Sequence, residues 1–176
     1  MRTSRLFFAL GLSALLAAPL TAQMPESYRQ VQLSALKVQR NMLLSMVDSM
    51  PEGLYREKAT PAQRDFAQQI EHAVAAVGGI ASHMLGATPP AKADTASYLN
   101  SRAGLRGFVN ATYDWAEGVL KNQSAADREK DVMFFGKKIP GWQVWDEIHQ
   151  HTIWTAGQVV ANFRKNGMAP PGFGFF

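Results

Sequence analysis

The chain has 176 residues with four histidines and no cysteine, so a thiol nucleophile is excluded and imidazole is the group to follow. At helical spacing, the stretch from Trp145 to Pro171 places Ile148, His151, Thr152, Thr155, Val159 and Phe163 on one face. That face is apolar except at His151 and Thr155, one turn apart at i and i+4. A ring turned inward beside a small hydroxyl is either satisfied inside a core or offered to a ligand, and the choice between the two is the functional question.

The other histidines are less pointed. His72 falls well round from the centre of an earlier apolar stripe, on a side with Ala75, Ala76 and Gly79, small enough to admit a helix or a ligand. The wheel does not decide whether His72 points inward. His149 lies about 100° round the helix from Ile148, on the flank. His83 reads as a surface or rim residue.

Four helical stretches would position these side chains, and no convincing strand accompanies them. The first runs from about Glu26 to Met50, with Val31, Ala35, Val38, Met42, Met46 and Met50 as its inward stripe, and Pro51-Glu52-Gly53 ends it. The second is expected to start at Pro61 behind Thr60 as N-cap and to reach Leu85, with Phe66, Ile70, Val74, Val77, Ala81 and Met84 inward. Gly86 to Asp94 is a loop. The third spans about Thr95 to Gln123, with an apolar face of Leu105, Phe108, Val109, Thr112, Trp115, Ala116 and Val119. Ser124 to Pro140 is the longest linker, and its Val132-Met133-Phe134-Phe135 plug must cover the bundle end or a binding site. Trp142 to Lys165 is the fourth helix, stopped by Asn166-Gly167 and Pro170-Pro171. Four amphipathic helices, each with one face to bury, predict an all-α, four-helix bundle.

The N-terminus stands apart. Arg2 and Arg5 precede an apolar run from Leu6 to Ala18, too short to span a bilayer, and Pro19 to Ala22 offers a cleavage site. Residues 1–22 are read as a cleavable signal peptide and residues 23–176 as the domain. The expected location is periplasmic or secreted, with no membrane span after cleavage. Removing Arg2 and Arg5 leaves 16 basic against 14 acidic residues, a net +2 rather than +4. No basic helix face carries interleaved aromatics, so nucleic acid is not a partner. The tail Gly172-Phe173-Gly174-Phe175-Phe176 is expected to pack along the bundle or against a second copy, a hint of a homodimer. Arg164 reads as last-turn complement to the helix dipole, and Trp115, Trp145 and Trp154 as core or interface bulk.

Three stretches together resemble the DinB-like superfamily of four-helix bundles. Met50 to His72 (MPEGLYREKATPAQRDFAQQIEH) resembles the family's passage from its first helix into a second that ends in a histidine. Leu85 to Pro90 (LGATPP) sits where that helix closes. His151 to Pro171 (HTIWTAGQVVANFRKNGMAPP) is similar to the closing signature, with Gly157-Gln158, Arg164, Gly167 and Pro170-Pro171 in register. The resemblance implies a divalent metal, zinc or nickel, held by three histidines. By position these are His72, His151 and residue 155, where this chain has threonine; the arginine expected at 156 is alanine. A threonine hydroxyl stays protonated at neutral pH and is a poor replacement, whereas Glu147, four residues before His151, could complete a Glu147/His151/His72 set.

Two functions follow as expectations. One is a small-molecule or protein-binding bundle with a degenerate metal site. The other is a divalent-metal-dependent transferase or hydrolase like the family's enzymatic members. Catalytic residues are not assigned by either.

Overall fold

The computed structural model describes residues 24–88, 90, 95–172 and 174. The expected signal segment lies outside them, as do Phe173, Phe175 and Phe176 of the tail.

Four long helices carry the core: α1 (Glu26–Ser49), α2 (Phe66–Leu85), α4 (Arg102–Asn122) and α6 (Gln143–Lys165). Between them lie the short α3 (Thr95–Tyr98) and α5 (Ala125–Glu129) and a hairpin of β1 (Asp131–Phe134) and β2 (Lys137–Pro140). The main contacts run α1–α4, α4–α2, α2–α6 and α6–α1, so the four close into a ring. Helices joined in sequence, α1 to α2, are therefore diagonal, and the largest interface joins α2 to α6. A common core of Leu36, Leu43, Ile70, Val74, Leu105, Val109, Ile148 and Phe163 fills the ring.

Several expectations need correction. Helix α2 begins at Phe66, five residues after Pro61, because Asp65 caps it: its carboxylate accepts from the Gln68 amide, and the Gln68 side chain accepts from the Asp65 amide. This capping box outcompetes the Thr60-Pro61 signal. The third helix starts at Arg102, behind Ser101 as N-cap, with Thr95–Tyr98 a separate turn. Along α1 the inward phase is Gln32, Leu33, Leu36, Gln39, Leu43, Met46 and Val47, and Val31 is 49% exposed. Two buried glutamines on the inner face had shifted the apparent stripe.

The linker after α1 also folds inward. Tyr55 is fully buried, its hydroxyl donates to the Val47 carbonyl at 2.9 Å, and its ring meets Phe66 at 5.1 Å. Phe66 in turn meets Phe163 of α6 edge-on at 6.0 Å. The Asn162 amide and the Lys165 ammonium hold the Glu57 and Lys58 carbonyls. The start of α2 is thus clamped to the end of α6, which fixes the register between them.

The Ser124–Pro140 stretch, expected as linker, contains the hairpin. Val132, Phe134 and Ile139 pack on the core while Met133 faces out, an alternation too short to separate from a loop by sequence. Phe135 and Gly136 close it at φ 44° and 84°, the shape of a type I′ turn. Phenylalanine in this left-handed region carries about 1–2 kcal/mol of steric cost. Gly141 lets the chain leave: a Cβ there would sit 2.5 Å from the Asp127 carbonyl oxygen. The hairpin touches α2 through β1 and α6 through β2. At the other extremity, Gly172 and Gly174 return beside Val38 and Met42 of α1.

Candidate functional site

Helices α2 and α6 run antiparallel, and their facing flanks bring two imidazoles together. The rings of His72 and His151 have centroids 5.3 Å apart at 69°. Both residues are half-buried, and Nδ1 of His151 is enclosed without a hydrogen-bond partner among the described residues. Burial is the main cause that lowers the pKa of each ring. The positive charge of Arg64 lowers both further, and His151 adds to the effect on His72. Both rings are therefore neutral at pH 7, with lone pairs available.

Arg64 was not singled out in the sequence, where it looks like an ordinary polar residue of a turn. It precedes the Asp65 cap, is exposed, and has no carboxylate in ion-pair range among the described residues, because Arg56 takes Asp65 at 3.1 Å.

One turn before His72, the buried Gln69 donates to the Thr155 carbonyl and to the Gln158 side-chain oxygen, both at 3.2 Å. Gln69 was also missed, since a glutamine on a helix flank gives no signal by itself. Gln158, in the closing signature, finds its partner here. Thr155 is buried beside this amide pair.

The remaining candidates have partners or surroundings of their own. The Glu147 carboxylate accepts from Gln143 at 3.2 Å, one turn earlier on its own helix. His83 is exposed on the C-terminal half of α2. His149 belongs to a separate buried network: Gln39 donates to its Nδ1 at 3.0 Å and accepts from the Tyr113 hydroxyl at 3.2 Å. Burial lowers the His149 pKa, opposed by Asp146, and pushes the Tyr113 phenol well up. Thr152 lies close enough to Tyr113 to moderate that rise, yet its hydroxyl lacks a hydrogen bond of normal geometry. Trp145 is core, whereas Trp154, one turn past His151, is 75% exposed.

Among the described residues no group of three or more His, Cys, Asp or Glu side chains is placed to hold a metal. Two imidazoles fall short of the three protein ligands of a catalytic zinc, and the nearby guanidinium repels a cation. The donor set does not complete the three-histidine site.

A family model described as the DinB superfamily matches residues 35–160. The crystal structure of a DinB-like protein from Bacillus cereus superposes with a TM-score of 0.64 at 17% identity, covering 81% of this chain and 95% of that one. At that identity the likeness is one of fold. No curated protein sequence matches the chain.

Proposed function

The chain belongs to the DinB superfamily, and from that premise we propose that it is an exported binding protein that holds a small molecule at the His72–His151 pair. The observation that carries this reading is the enclosed, unpartnered Nδ1 of His151 next to a second neutral ring. An enclosed polar atom left without a hydrogen bond costs about 1–3 kcal/mol, which a guest with a complementary group returns. Arg64 tilts the preference from a free cation toward an anionic or hydrogen-bonding guest. Residue 155, where the resemblance implies a third ligand, is threonine, and its carbonyl accepts from Gln69.

Export rests on the segment 1–22. N-terminal sequencing of the chain recovered outside the cytoplasm should begin at Gln23; recovery of an uncleaved chain from the cytoplasm would remove that part of the proposal.

Native mass spectrometry of the protein purified from an exporting host is the direct test of binding. The expected result is a bound organic adduct, lost in His151→Ala, with less than one metal per chain. Stoichiometric zinc or nickel whose removal by a chelator lowers Tm would overturn it in favour of a second reading, a divalent-metal-dependent transferase or hydrolase. That reading is supported by the neutral state of both rings, the state in which imidazole ligates metals.

A further inference from the structure

A hollow lies farther along α2, on the side of the helix that carries His72. It measures about 450 Å³ and is bounded by Gly79, Ile80, His83 and Met84 of the helix and by Met133 and Phe135 of the hairpin. Gly79 follows His72 by seven residues, two turns, which places the two on one side of the helix about 10 Å apart. Only the small Ala75 and Ala76 stand between them on that side.

The hairpin wall of this hollow is costly to keep as it is. Phe135 is 76% exposed and Met133 63% exposed. Phe135 also holds φ 44° at a turn position that favours asparagine or glycine. Solvent and backbone both disfavour that ring where it is, and Phe134 props it edge-on at 4.9 Å. Strain of this kind, concentrated on an exposed aromatic at the lip of a cavity, is characteristic of a ligand clamp.

We infer that this hollow is the apolar subsite for the guest whose polar end meets His72 and His151, and that the guest is an amphiphile with an acidic head and an apolar chain or ring system. The polarity follows from the charges of Arg64 and Glu147. Arg64, without an acidic partner among the described residues, lies near the imidazoles. Glu147, one turn before His151 on the side from which the hairpin enters α6, disfavours an acidic group at the other end. Hairpin closure over α2 then buries Met133 and Phe135 against the apolar part of the guest. The inference rests on the small-molecule reading above for its polar end only.

Decanoate and 8-anilinonaphthalene-1-sulfonate, titrated into the full mature chain, are suitable probes. Gly79→Leu fills the hollow, and because a Cβ at Gly79 meets nothing within 4 Å the core is left alone. Phe135→Asn removes the ring while suiting the turn. Both variants are expected to melt at or above the parental Tm and to bind either probe at least tenfold more weakly. His72→Ala and Arg64→Gln should weaken both probes as well. Parental affinity in both Gly79→Leu and Phe135→Asn would overturn the inference. Weakening in those two with none in His72→Ala or Arg64→Gln would overturn the polar end and the small-molecule reading beneath it, while the apolar subsite stood.

Discussion

The Gln69 side chain on α2 donates to the backbone carbonyl of Thr155 on α6, at 3.2 Å. This bond ties the helix that carries His72 to the position at which the third histidine of the resembled motif is missing. The same amide also donates to the Gln158 side-chain oxygen at 3.2 Å, so main chain and glutamine hold the two helices together beside residue 155. The chemistry left to the site is that of two neutral imidazoles beside a guanidinium.

Acidification should destabilise the fold. His72, His149 and His151 all have folded-state pKa values below the ordinary value of 6.5, with burial as the first cause. Below pH 6.5 the unfolded chain takes up protons that the folded chain resists, so stability rises with pH across that window and is lost as pH falls from 7 toward the lowered values. Urea midpoints measured between pH 8 and pH 5 should fall with pH, and His72→Gln with His151→Gln should flatten the slope. A parental profile independent of pH would contradict the burial assigned to these rings.

Restoring the absent ligand should create a metal site. Thr155→His is expected to raise nickel or zinc affinity at least tenfold, read by calorimetry. Without metal it should lower stability by about 1–3 kcal/mol, because the position is already packed. No gain in metal affinity would mean that residue 155 does not face the His72–His151 pair.

The Gln39 amide, fully buried, joins Tyr113 of α4 to His149 of α6. Gln39→Ala leaves both partners unsatisfied and opens space, so a loss of about 2–4 kcal/mol is expected in urea unfolding. Tyr113→Phe removes one end alone and should cost about 1 kcal/mol. Equal losses would show that the three side chains do not act as a chain of bonds.

The Asp65 cap should matter beyond stability. Asp65→Ala is expected to cost about 1–2 kcal/mol, and it frees the first turn of α2, the segment that carries Gln69 toward His72. Binding of decanoate should therefore weaken in Asp65→Ala at a temperature where the variant is still fully folded. Unchanged affinity there would separate the cap from the site.

Periodicity and composition alone were enough for the helical class, the four long helices and the apolar faces of α2, α4 and α6, because burying one side of a 3.6-residue repeat leaves its mark in the order of residues. They also put His151 and Thr155 on one face of α6, whereas His72 as a ligand and residue 155 as the third ligand position are implied only by the resemblance to the DinB-like bundles. They failed where a local rule had a stronger competitor: Asp65-Gln68 outbid Thr60-Pro61, and Gln32 and Gln39 disguised the inner face of α1. The alternating pattern of Val132 to Phe134 was too brief to declare a hairpin.

Tertiary structure decided the rest. That α2 neighbours α6 rather than α1 depends on the Tyr55–Phe66–Phe163 cluster and the clamp on the Glu57 and Lys58 carbonyls, whose contacts to Phe163, Asn162 and Lys165 join residues about a hundred positions apart. Only that packing puts one imidazole against the other, leaves His151 Nδ1 without a partner among the described residues, and brings the charge of Arg64 to bear on both. Distances across a bundle arise from the fit of whole faces, and no single helix records in its own spacing which face it will meet.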